Sequence, residues 1–378
     1  MPNRVRSILF LLLLVVCNYQ PSSGSTSQTS LETVHSELQP ATFNLLQASL
    51  EAEANHSSDQ IQQLIRSLET KIEQLDRQLP ENWGRLSTEH QIRTMFHLMH
   101  DNILTGTYIE SCSFVSVAIN LGDFNCVSAT VIFQTIADRY NLPVMPVQTL
   151  GHVWSRSLSD TSLEIETTCP NWFQLSQAQR EMAPSSLAGS EARLLTQQAL
   201  VGKIYYNRAT DRLRDKQYAA AVALLHTALN WDSADAAASG NLLASLNNWA
   251  LDYAKKGQYK LANQKLDEVQ KLSPQYQPLG RNRLYVRQCE ISQLCKQGHF
   301  PEAIAVLENQ SNASQLHPTQ LTENAQTRSA IYDAWIQWLL SSNARTDAAK
   351  VLNLAQQTLG QEEPRFIRLK MKYAGLKI

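Results

Sequence analysis

Lys216-Gln217-Tyr218-Ala219-Ala220-Ala221 returns as Lys256-Gly257-Gln258-Tyr259-Lys260-Leu261-Ala262 and again as Gln297-Gly298-His299-Phe300-Pro301-Glu302-Ala303. The aromatic residues Tyr218, Tyr259 and Phe300 stand 41 positions apart each time. An alanine follows each of them by three residues, and Leu225, Leu266 and Leu307 keep the same phase downstream. Ala209 and Ala250 keep it upstream in the first two copies. Apolar positions spaced by three and four line one face of a helix, and a fixed period of tens of residues marks stacked supersecondary units. The chain from 200 to 375 is therefore expected to be an all-α array, with a degenerate fourth copy through Trp335, Trp338, Ala348, Leu352 and Ala355.

This phrase resembles the tetratricopeptide repeat. There, a small or polar turn residue and an aromatic placed three before an alanine let two antiparallel helices approach closely. The resemblance implies a helical-repeat solenoid that receives a protein partner on one face. The usual period is about 34 residues, so longer helices or connections are expected here.

Upstream, residues 176–199 are rich in Gln and Ser and hold Pro184-Ser185-Ser186 and Gly189, the composition of a linker. Residues 85–175 read as an α+β domain. Ser87-Thr88-Glu89 opens a helix over Ile92–Leu104, with His97 and His100 expected at its surface or at a pocket rim. Gly122-Asp123-Phe124-Asn125 makes a turn, and Val127–Tyr140 has the pattern of a buried helix. Three strand-like runs follow, at 144–147, 153–156 and 163–167.

Three fragments of this domain carry chemistry in order: Asn125-Cys126-Val127-Ser128, Gly151-His152-Val153-Trp154 and Glu164-Ile165-Glu166-Thr167-Thr168. A thiol in the first turn of a helix meets unpaired backbone N–H groups and the positive end of the helix dipole, which favour the thiolate nucleophile. An imidazole paired with it holds that thiolate and later protonates the leaving group. A carboxylate on the next strand fixes the imidazole tautomer. These roles fall to Cys126, His152 and Glu166, with Glu164 as the alternative acid. The Cys126 N–H supplies half of an oxyanion hole. Asn125 and Tyr108 are the candidate side-chain donors. Trp154, Trp172 and Phe173 are expected in the core or the pocket wall.

A cysteine opening a buried helix, His-x-Trp on a strand and an acid followed by x-Thr on the next strand resembles the transglutaminase-like branch of the papain-like superfamily. The likeness covers about 90 residues, roughly 85–175. It implies a papain-like α+β fold and cysteine acyl transfer on amides, by hydrolysis of a peptide or isopeptide bond or by transfer to an amine. Glu166 stands where that branch usually has Asp. A degenerate member would keep the fold and act with the repeat array as a binding scaffold in the cell envelope.

Composition bounds the other functions. Lys plus Arg (33) nearly balances Asp plus Glu (34), so no basic footprint calls for nucleic acid. Cys112, Cys126, Cys169, Cys289 and Cys295 form no C-x-x-C pair, and no His cluster has metal-ligand spacing, so neither a metal nor a cofactor is expected. Cys126 is expected to be a free thiol, with Cys112 and Cys169 as one candidate bridge. Cys289 and Cys295 are expected to be packing residues of a repeat helix. Arg4 and Arg6 precede an apolar run from Ile8 to Val16, which reads as an export signal over 1–24. Cys17 ends that run and is a candidate for lipid attachment, although Val16 stands where a small residue is usual. A polar leader and an amphipathic helical region follow over 25–84, with Ile61, Leu64, Ile65, Leu68, Ile72, Leu75 and Leu79 on one face. Asn55-His56-Ser57 and Asn312-Ala313-Ser314 are glycosylation sequons that matter only in a eukaryotic secretory setting.

Overall fold

Ser57 starts the long amphipathic helix in the computed structural model, which describes residues 43–149, 151–182, 192–309 and 318–376. The export-signal run, Cys17, the polar leader, Pro184-Ser185-Ser186, Gly189 and the Asn312 sequon lie outside the described residues. The region expected as one amphipathic stretch is two helices, α1 (Leu45–Ala52) and α2 (Ser58–Asp76). The break has a physical cause. Glu53 turns its buried carboxylate onto the Ser116 N–H (3.0 Å) and hydroxyl (2.5 Å), capping a later helix. The chain then restarts at a capping box between Ser57 and Gln60. Ile61, Leu64, Ile65, Leu68, Ile72 and Leu75 are the buried face of α2.

Next come α3 (Thr88–Asn102), α4 (Val115–Leu121) and α5 (Cys126–Arg139), then strands β1 (Val144–Thr149), β2 (His152–Ser157) and β3 (Glu164–Ile165). Ten of the fourteen residues of α5 are buried, so it is the central helix of this part. The sheet is antiparallel with order β3-β2-β1-β4. Its fourth strand corrects the expected linker: β4 (Arg193–Leu194), from the tract 176–199, pairs with β1 through Val147↔Leu194 and Gln148↔Arg193. That tract also forms the short helix α6 (Gln177–Arg180).

The remainder is helical hairpins. They are α7 (Gln197–Arg214) with α8 (Tyr218–Trp231), α9 (Ala236–Lys255) with α10 (Tyr259–Leu272), α11 (Pro278–Lys296) with α12 (Phe300–Glu308), and α13 (Pro318–Ser341) with α14 (Arg345–Leu359). A closing helix, α15 (Pro364–Lys372), packs on the last pair. Each hairpin turns at a left-handed residue: Lys216, Gly257, Gly298 and Asn343, with φ of 57°, 73°, 81° and 57°. Tyr218, Tyr259 and Phe300 each open the second helix two residues later. At the third turn glycine does more than adopt positive φ, since a Cβ on Gly298 would sit 3.3 Å from the Trp338 ring. The fourth turn comes later because α13 runs for 24 residues against 19 in α11.

The array starts inside the first core. Leu195, Leu200 and Ile204 are buried, and α7 packs on α1, α5 and β1. Polar ties reinforce the junction: Gln197 Nε2 donates to Asp138 (2.6 Å), Arg193 pairs with Asp232, and Arg208 donates to the Ala52 carbonyl. Among the described residues no helix is long and apolar enough to cross a membrane.

Candidate active site

Asn125 decides where the thiol stands. It is the N-cap of α5, and its Oδ1 accepts from the N–H groups of Val127 (2.9 Å) and Ser128 (3.1 Å). The Ser128 hydroxyl in turn accepts from the Asn125 N–H (3.0 Å), completing a capping box. Cys126 is thus the first residue of the helix and half-buried, and its own N–H has no acceptor among the described residues.

Strand register brings the other two groups to it. His152 opens β2 opposite Thr149, and Arg156 faces Glu164 on β3. Alternation along antiparallel strands then sets His152, Trp154 and Arg156 on one face with Glu164 and Glu166. Glu164 lies between Trp154 and Arg156, accepting from the indole N–H (2.5 Å) and the guanidinium Nε (2.6 Å). Glu166, two residues on, meets His152 with Oε2 2.8 Å from Nε2. Its other oxygen accepts the Thr168 hydroxyl at 2.6 Å. His152 also lies close enough to the Cys126 thiol for that group to act on its protonation. Burial alone would lower the His152 pKa. The neighbouring Cys126 thiol and Glu166 carboxylate outweigh that and push it up to about 10. The ring is thus held on one side by a carboxylate that is 2 % exposed, and both partners favour its protonated form.

Buried cross-links fix this arrangement. The Thr130 and Thr167 hydroxyls meet at 2.8 Å, joining α5 to the segment carrying Glu166. Gln134 Nε2 donates to the Ser155 hydroxyl at 3.0 Å, joining α5 to β2. The role of Thr168 in holding Glu166 was not read from the sequence, although the acid-x-Thr spacing was its signal.

Two expectations, on Asn125 and on a Cys112–Cys169 bridge, are corrected. Asn125 does not offer its amide to the site, because Oδ1 caps the helix and Nδ2 donates to the Glu110 carbonyl (3.0 Å). Trp154 takes the core of the two places expected for it: it is fully buried, stacks beneath His152 (centroids 5.8 Å apart, rings 17° from parallel) and gives its N–H to Glu164. No Cys112–Cys169 bridge forms. All five described cysteines are free, and the Cys112 sulfur turns to the Asp123 carbonyl. Tyr108 is half-exposed and stands edge-on to Phe124, two residues before Cys126. Cys289 and Cys295 are half-buried on α11. Trp172 is core, donating to the Glu164 carbonyl (2.6 Å), and Phe173 carries the Arg93 guanidinium on its face.

His100 is a further correction. Expected near the surface, it is buried against Phe96 and Phe124, and neither ring nitrogen has a well-formed hydrogen bond. Burial, helped by the charge of His97, pushes its pKa down to about 4. The unfolded chain then binds the proton more readily, so this residue withdraws stability as pH falls from 6.5 towards 4. The cost reaches about 3 kcal/mol at the acid end. Thermal melts of wild type and His100→Leu should diverge over that interval, with the variant holding up better. Parallel acid loss in the two proteins would contradict this account.

Among the described residues no cluster of His, Cys, Asp or Glu could hold a metal ion. No protein-family model matches the chain, and no curated protein matches it.

Proposed function

We propose that this chain is an exported cysteine acyl-transfer enzyme of transglutaminase-like type, whose tetratricopeptide-like array recruits a protein partner. The observation that carries the reading is His152, hydrogen-bonded to the buried Glu166 carboxylate and under the influence of the Cys126 thiol at the start of the central helix. The papain-like fold is part of the same proposal, supported by a central helix that opens on the thiol and packs against an antiparallel sheet. Export rests on the basic and apolar run from Arg4 to Val16.

In this reading the thiolate adds to an amide carbonyl carbon, forming an S–C bond while the π pair moves onto oxygen. The Cys126 N–H, which has no acceptor among the described residues, donates to that oxygen. Collapse restores the carbonyl and breaks the C–N bond, and the departing nitrogen takes its proton from the His152 imidazolium. Water or an amine, deprotonated by the now neutral imidazole, releases the acyl group from sulfur. Glu166 keeps the ring turned through both steps, and Thr168 keeps Glu166 in place.

A chloroacetamide probe at neutral pH tests the reading. Burial holds the thiols of Cys112, Cys169 and Cys295 above the ordinary cysteine pKa, so those three should react slowly. Labelling of wild type should be fast and map to Cys126, and Cys126→Ala should lose the fast phase. Equal labelling of the two proteins would leave a silent domain serving the array as a binding scaffold.

A further inference from the structure

An oxyanion hole needs two donors aimed at one point, and the Cys126 N–H is only one. The second has to come from a donor beside the sulfur that is not already engaged. Most side chains near the thiol are committed elsewhere. The Asn125 amide donates to the Glu110 carbonyl and the Trp154 indole to Glu164. The Ser128 hydroxyl donates to the Cys112 carbonyl, and that of Thr168 to Glu166. The Tyr108 hydroxyl has no acceptor among the described residues, and the residue is 50 % exposed.

Its position is fixed by backbone pairing. Tyr108 forms a parallel bridge with Phe124, two residues before the nucleophile. The Ile109 N–H donates to the Phe124 carbonyl (2.8 Å) and the Phe124 N–H to the Thr107 carbonyl (3.2 Å). The Asp123 carboxylate takes the Thr107 N–H at 2.8 Å. Glycine makes the approach possible, since a Cβ on Gly106 would fall 2.3 Å from Asp123 Oδ1. The ring stands edge-on to Phe124 with centroids 6.3 Å apart. Burial first, then the charges of Cys126, Glu110 and Glu166, push the phenol pKa up to about 12. The group therefore stays an O–H donor across the working range, and the bridge to Phe124 sets it beside the segment that leads into Cys126.

We propose that Tyr108 is the second donor of the oxyanion hole, its hydroxyl and the Cys126 N–H together holding the oxygen of the tetrahedral intermediate. The assignment rests on the acyl-transfer reading above. It also assigns the exposed segment around Tyr108 and Ile109 to the substrate-facing side of the thiol.

The experiment compares two reactions at one sulfur in the full chain. Acylation by 4-nitrophenyl acetate passes through an oxyanion: S–C forms, the carbonyl pair moves to oxygen and returns, and 4-nitrophenolate leaves. Alkylation by iodoacetamide displaces iodide directly and forms none. Tyr108→Phe keeps the ring and removes only the hydroxyl. It should slow acylation about 100-fold while alkylation stays within about twofold of wild type, since that step needs no oxyanion donor. Unchanged acylation overturns the assignment. So does an equal fall in both reactions, which would place the hydroxyl on the thiol instead. Cys126→Ala is the separate control: if it is acylated as fast as wild type, the acyl-transfer reading itself fails.

Discussion

Glu166→Ala should lower the acyl-transfer rate about a thousandfold, a loss of about 4 kcal/mol in transition-state stabilisation. The carboxylate is the only partner of His152 Nε2 among the described residues, so without it the ring can turn away from the sulfur. Glu166→Gln separates orientation from charge. Its amide oxygen can still accept the Nε2 proton, so the ring stays in place, but the negative charge is gone. His152 works protonated, and its pKa is raised by Glu166 and Cys126. The alkaline limb of the pH–rate profile should therefore move to lower pH in Glu166→Gln, with a smaller fall at the optimum. Stability follows the same sign. A histidine with a raised pKa contributes fully below its unfolded value of 6.5 and loses that contribution as pH rises towards about 10. Wild type should melt lower at alkaline pH, and Glu166→Gln should show less of that dependence. Glu164→Gln is the contrast, because that carboxylate serves Trp154 and Arg156 and its removal should cost less than about tenfold. If the alkaline limb is the same in Glu166→Gln and wild type, the carboxylate does not act on His152.

The choice between the two acids marks a limit of sequence reasoning. Glu164 and Glu166 have the same strand parity, so alternation puts both on the face that carries His152 and Trp154. Only register separates them, and the Arg156↔Glu164 pairing cannot be read from a strand two residues long. The placement of Cys126 in the first turn of a buried helix was more legible, because a turn followed by a buried run is a local signal, whereas the cap made by Asn125 was not foreseen. Asn125 carries a second lesson: with Oδ1 held by the helix N–H groups, Nδ2 is turned to the Glu110 carbonyl and away from an oxyanion-donor role. His100 misled for a related reason. Its charge class suggests solvent, whereas Phe96 and Phe124 enclose it from both sides.

The helical hairpins could be read from three phrases because each turn needs the same local chemistry: a residue tolerant of positive φ, an aromatic two later, and a small alanine beyond. The fourth turn kept Asn343 and Ala348 but put Arg345 in the aromatic position, so its spacing faded. What stayed hidden was where the array attaches. The Gln- and Ser-rich composition of 176–199 argues for a linker, and no periodicity reveals that Arg193 and Leu194 extend a sheet. The joint depends on contacts distant in sequence, such as Arg193 with Asp232 and Arg208 with the Ala52 carbonyl. These contacts hold the first hairpin against the domain that carries the thiol. A partner held by that hairpin would sit at a fixed offset from Cys126.

Asp235→Ala should be the most damaging single change outside the site, lowering unfolding free energy by about 4 kcal/mol. Two losses combine there. Asp235 is the N-cap of α9, with Oδ1 accepting from the N–H groups of Ala237 (3.1 Å) and Ala238 (3.2 Å). Its other oxygen holds Lys203 Nζ at 2.7 Å, in a pair whose side chains are 8 % and 2 % exposed. Removing the carboxylate leaves an ammonium on α7 with no counter-charge in a site closed to water, which costs more than the cap itself. The double variant Lys203→Met with Asp235→Asn isolates the cause. Asparagine caps a helix as well as aspartate does, and methionine fills the volume of the lysine stem without a charge. That double variant should stay within about 1 kcal/mol of wild type, because replacing both members of a buried pair is far cheaper than orphaning one. Urea denaturation of the three proteins at neutral pH provides the measurement. If Asp235→Ala and the double variant lose stability equally, the orphaned charge is not the cause; if neither loses any, the first hairpin does not depend on this pair.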